Sequence, residues 1–151
     1  MQTGNKSKKA SIVFWILTAA VMGLVFFFSS RPADESAMQS NFVLDLLTKL
    51  FGDGALSDYI VRKGAHFSEF ALLCFLFNWS FYFTCGKTKR ILSLCLTSAY
   101  AASDEFHQMF VEGRACEIKD WAIDTSGAAA GLLAFIVLLL IVKKIVDRKK
   151  Q

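Results

Sequence analysis

Apolar positions in this chain come in long blocks, and charge is confined to the intervals between them. Four blocks stand out: Ala10–Ser30, Ala65–Phe83, Ile91–His107 and Trp121–Val142. A helix needs roughly 20 apolar residues to cross the hydrocarbon of a bilayer, about 30 Å thick. The first and last blocks meet that length nearly free of charge, and the second is clean only after Glu69. The third has 13 uncharged residues, Ile91–Ser103, or about 20 Å of helix. It spans only if the helix runs on through Asp104–Gln108. The pattern predicts an all-α, integral membrane four-helix bundle. Its spans lie at about 10–30, 65–83, 91–108 and 121–142, within a single membrane domain over 1–151.

The longest connection, Arg31–Arg62, opens with the turn-like SSRPADES. Within it, Asn41–Phe51 places Phe42, Leu46, Leu47 and Leu50 near helical spacing, with Asp45 and Lys49 as an i,i+4 pair on another face. Gly52–Gly54 ends the segment. This predicts a short amphipathic helix in the first extracytoplasmic loop, either packed over the bundle or, the reading favoured by the small dry core, resting on the membrane interface or re-entering it. In the fourth block, Gly127 and Gly131 form a small-xxx-small face that lets helix backbones approach closely. The approach is either within the chain or between copies, so this face is the route to an oligomer.

Composition agrees with a membrane protein: 54% of the 151 residues are hydrophobic and the formal charge is +4. With four spans, Lys6, Lys8, Lys9, Lys87, Lys89, Arg90, Lys143, Lys144, Arg148, Lys149 and Lys150 fall on one side. Only Arg31, Lys49, Arg62, Lys63, Arg114 and Lys119 fall on the other. Basic residues mark the cytoplasmic side, so the excess places both termini there, in a multi-pass arrangement with the lipid bilayer as partner. The basic ends serve orientation and anionic headgroups, and without interleaved aromatics they do not point to nucleic acid. The first block exceeds the about 7–15 apolar residues of a signal core and lacks a small-x-small cleavage site, so it reads as a retained anchor. Cys74 and Cys95 fall mid-span and Cys85 at the cytoplasmic end. Cys116 therefore has no partner on the oxidising side, and no structural disulfide is expected.

The strongest functional signal is an asymmetry between the two ends of the bundle. The second span begins RKGAHFSEF, bringing Arg62, Lys63, His66 and Glu69 to the outer end. The third leaves through SDEFHQMFVEGR. There Asp104, His107 and Gln108 share a face, while Glu105 points some 100° away as a partner for Arg62, Lys63 or Arg114. The fourth re-enters at KDWAID with Asp120 and Asp124 at i,i+4. Charges at span ends often reach only headgroups and water, and Arg62, Lys63, Lys119 and Asp120 could do that alone. Glu69 lies about 9 Å deeper than Lys63, where a charge is costly unless paired or facing a polar cavity.

The three blocks RKGAHFSEF, SDEFHQMFVEGR and KDWAIDTSGAAAG, in this order, resemble the hallmark segments of the VanZ-like family of bacterial membrane proteins. The likeness runs from Phe28 to Gly131 and includes the outer loop opened by FSSRP. It implies a bacterial cytoplasmic membrane protein and an association with resistance to teicoplanin and related lipoglycopeptides, with no agreed reaction. The family's polar positions fall on Lys63, His66, Glu69, Asp104, Glu105, Gln108, Arg114 and Asp120. Glu112 stands where many relatives have proline, which implies a looser or more acidic turn. Asp124 stands near a position where many have asparagine.

Three function classes follow. One is an envelope enzyme, with His66 or His107 as general base and Glu69, Asp104 or Glu105 supplying carboxylates. Arg62, Lys63, Gln108, Arg114, Asp120 and Asp124 would then hold a lipid-linked cell-wall precursor or the lipoglycopeptide. No cofactor is expected, and a divalent metal is left open because two histidines and several carboxylates are available. The second class binds such a ligand or limits the drug's access without chemistry. The third, a proton-coupled transporter of a small polar solute, needs polar groups continuing across the bilayer. Only Asn78, Ser80, Ser93, Thr97 and Ser98 offer them.

Overall fold

The computed structural model describes residues 7–51 and 57–148. They form five helices: α1 Lys8–Ser29, α2 Ala33–Phe51, α3 Asp58–Cys85, α4 Arg90–Gln108 and α5 Ile118–Arg148. The boundaries have local causes. Ser7 caps α1 by accepting from the Ala10 N–H at 3.3 Å, and Ser57 caps α3 through Ile60 at 3.4 Å. Gly86, at φ 65°, ends α3 in the left-handed conformation that glycine adopts without strain.

The helix of the first loop begins earlier than its amphipathic spacing suggested. Rather than starting at Asn41, it starts directly after Pro32, whose carbonyl accepts the Ser36 N–H at 3.0 Å. Asp34 and Glu35 occupy its first turn, where carboxylates favour the positive end of the helix dipole. ADES is therefore a helix start and not part of a turn. The stop expected at Gly52–Gly54 lies outside the described residues.

α3 is the hub and packs against each of the other four helices. Its seam with α5 is the most extensive, because Gly127 and Gly131 bring the two backbones together. A Cβ at Gly127 would overlap the Phe67 carbonyl, and one at Gly131 the Ala71 carbonyl. The small face is thus filled within the chain and is not free for a second copy. On α1, Trp15 donates to Thr84 at 3.0 Å and Thr18 pairs with Ser80 at 3.1 Å. Tyr100 of α4 donates to the Met22 carbonyl at 2.7 Å. Phe70, Leu73, Phe77, Ala101 and Val25 make the buried cluster between them.

The distribution of polarity is inverted relative to a water-soluble helical protein. Among the described residues, eleven buried side chains are polar or charged against ten that are hydrophobic. Large apolar side chains such as Ile16, Phe26, Leu133 and Leu140 stand exposed along α1 and α5. Those two helices are long and apolar enough to cross a membrane. Among the described residues no other helix meets the same measure, so of the four expected spans α1 and α5 are the two that length and apolarity support by themselves.

Candidate functional site

α3, α4 and α5 run so that the start of α3, the end of α4 and the start of α5 meet. Lys63 and Asp120 form an ion pair across α3 and α5, both largely buried. One turn deeper, His66 Nδ1 lies 4.0 Å from Asp124 Oδ1, and Asp124 is only 1% exposed. Glu105 of α4 accepts the Glu117 N–H at 2.9 Å, which fixes the loop leading into α5. These groups, with Arg62, Gln108 and Arg114, enclose a cavity of about 170 Å³. It holds both signs of charge and one imidazole, with a carboxylate near the ring nitrogen.

The two acidic residues of SDEFHQ are divided between two faces of α4, about 100° apart. Asp104, His107 and Gln108 do share a face, as the spacing predicted, but that face turns to α1. Gln108 donates to Ser29 at 2.9 Å and to Asp104 at 3.1 Å. His107 Nε2 lies 3.1 Å from Ser30 Oγ, and its ring packs on Phe26 at 4.6 Å between centroids. Asp104 and His107 line neither this cavity nor the one described next. Glu105, which the helical angle set apart, is the α4 carboxylate that joins the site.

Glu69 faces a second, larger cavity of about 550 Å³ between α2 and α3. Phe28, Val43, Ile60 and Val61 give it mainly apolar walls. Arg62, His66 and Arg114 line both cavities and so form the partition between them. Arg114 sits in the loop after α4. Burial, and next the positive charge of Arg62, lower its pKa, although arginine stays charged in proteins. The loop itself is well tied despite lacking a proline. Val111 donates to Gln108, Arg114 donates to Val111, and Ala33 donates to the Glu112 carbonyl, each at 3.1 Å. Gly113, at φ 71°, lies against Ala33 with no room for a Cβ.

Several participants were not singled out by the spacing of charges. Ser29 at the end of α1 bonds Gln108, the next residue Ser30 bonds His107, and Tyr59, Val43 and Glu117 line the cavities. The serine pair had a signal: two hydroxyls end an apolar run at the level of the acidic cluster. Among the described residues, no group of three or more His, Cys, Asp or Glu side chains is gathered closely enough to hold a metal ion. The cysteines Cys74, Cys85, Cys95 and Cys116 are all free.

Among the described residues the protein is all-helical and apolar-surfaced, with a charged cavity at one end. Residues 14–140 match the VanZ/LLP1 family, and the chain belongs to it. No curated protein and no solved structure shows significant similarity to the chain.

Proposed function

We propose that the chain is a four-span VanZ-like membrane protein that acts at the outer face of the bacterial cytoplasmic membrane through the His66 cavity. In this reading α1, α3, α4 and α5 span, α2 lies at the outer interface, and both termini are cytoplasmic. The observation that carries it is the meeting of charged ends from three helices around a cavity, at the end opposite the basic termini. A charged cluster at membrane depth is costly, and it persists where groups pair or serve a site.

His66 is the imidazole that lines the cavity, where a ring nitrogen can accept or donate a proton, and Asp124 is placed to orient its ring. The separation of 4.0 Å exceeds a hydrogen bond, as is common before a ligand tightens a site. The function is resistance to teicoplanin and related lipoglycopeptides, by enzymatic change of an envelope component or by binding that limits drug access. Transport of a polar solute is the weaker reading. Thr18, Asn78, Ser80 and Thr97 each hydrogen-bond a carbonyl of their own helix, and the Thr18–Ser80 contact between α1 and α3 does not extend through Asn78 or Thr97 into a chain across the bundle.

The test expresses His66→Ala and Asp124→Ala in cells whose susceptibility depends on the protein. Both variants are expected to accumulate normally and return the cells to the susceptibility of those lacking the protein. Unchanged susceptibility in both removes the site from the function. Mass spectrometry of lipid-linked wall precursors then separates the two mechanisms. A changed precursor means chemistry, whereas an unchanged one with reduced drug labelling means binding or exclusion.

A further inference from the structure

Two guanidinium groups stand together at the partition between the cavities without an anion. Arg62 and Arg114 each line both cavities, and among the described residues neither lies within 4.0 Å of a carboxylate. Of the acids that line these cavities, Asp120 pairs with Lys63, Glu105 accepts the Glu117 N–H and Asp124 lies against His66, while Glu69 lines the larger cavity without an ion pair to either guanidinium. Arg114 Nε is buried with no hydrogen-bond partner among the described residues. Carboxylates nearby offset part of this positive charge, but none supplies a direct acceptor, and the orphaned buried donor favours a ligand whose oxygens accept from both guanidinium groups.

The setting says what kind of anion fits. On one side of the partition is the apolar cavity of about 550 Å³, within the roughly 300–1,000 Å³ of ligand pockets. On the other is the polar cavity of about 170 Å³. A ligand bridging both needs an apolar chain and an ionised head. One guanidinium fork satisfies the two oxygens of a carboxylate, whereas two forks suit the three outer oxygens of a phosphate monoester. We propose that the protein binds a phosphate-bearing lipid, with its chain in the α2–α3 groove and its phosphate between Arg62 and Arg114. The assignment deepens the outward-facing reading above and rests on it, because the groove must open at the outer leaflet to take the lipid.

The experiment uses the purified full chain in detergent, with binding followed by native mass spectrometry against three probes. They are dioleoyl phosphatidic acid, dioleoylglycerol and inorganic phosphate. Phosphatidic acid is expected to bind at least about tenfold more tightly than dioleoylglycerol, the value of one charged hydrogen-bonding contact. Inorganic phosphate alone should bind more weakly than phosphatidic acid. Arg62→Gln and Arg114→Gln should each weaken phosphatidic acid binding about tenfold.

A second variant guards against loss of folding. Gly64 lines the groove, and a Cβ there meets open space. Gly64→Leu should therefore leave thermal stability unchanged or raised while reducing phosphatidic acid binding. Equal binding of the two lipids, tighter binding of free phosphate, or full binding by both arginine variants and Gly64→Leu overturns the proposal. Selective lipid binding combined with unchanged drug susceptibility in His66→Ala cells would keep the lipid site and remove the proposed function. Absent lipid binding with lost resistance would do the reverse.

Discussion

Asp104 and Glu105 are adjacent in sequence and both 3% exposed, yet they make contacts on different faces of α4. Glu105 fixes the loop beside the cavity, while Asp104 is tied through Gln108 to α1. The two histidines divide in the same way, with His66 at the cavity and His107 in the α1–α4 seam. This contrast makes a prediction. His107→Phe keeps the contact with Phe26 and loses the hydrogen bond to Ser30, so it should cost about 0.5–1.5 kcal/mol of stability. Lipoglycopeptide susceptibility should stay unchanged, and a loss of resistance equal to that of His66→Ala would return His107 to the site. Sequence spacing identified every one of these residues and which of them share a face. It could not say which neighbour that face meets, because helical angle is a local property and the rotation of α4 is set by Tyr100, Ser98 and Gln108 reaching other helices.

At the scale of elements, the long apolar helices were legible within a few residues, since length and lack of charge are sufficient signals. α2 was legible only in its second half. Its first half carries polar side chains with no apolar periodicity, and it is held by the Pro32 start and by Arg31 bonded to Glu35 at 3.0 Å. The α3–α5 seam is the element contact most exposed to mutation. Gly131→Val forces a side chain against the Ala71 backbone and should cost about 1–3 kcal/mol, read as a lower thermal midpoint in detergent. Gly23→Ala in α1, where a Cβ meets open space, should leave the midpoint unchanged or slightly raised. Equal effects of the two substitutions would mean that the close α3–α5 approach does not limit stability.

For the whole molecule, polar groups inside and apolar groups outside describe a protein built for lipid. The proposed topology predicts that tags on the N- and C-termini both report from the cytoplasm, while a cysteine introduced at exposed Ala115 is labelled from outside by a membrane-impermeant reagent in a background lacking Cys116. A tag reached from outside at either end would place the cavity on the wrong side for an envelope ligand. The count of basic residues carries this orientation, and it was available from the sequence alone. The division of the polar end into two cavities was not, because it depends on α2 covering α3, a contact that leaves no periodic trace.

The position of α3 as hub also bears on how the protein is made. Among the described contacts, α1 and α2 both find their main partner in α3, so the helices synthesised first wait for it. α5 is made last and docks along the glycine seam, and it alone carries Asp120 and Asp124. Lys63 and His66 therefore gain their carboxylates only when the final helix has seated. A chain in which α5 has not seated leaves Lys63 without its ion-pair partner and His66 without the carboxylate beside its ring, so the cavity is completed in one late step.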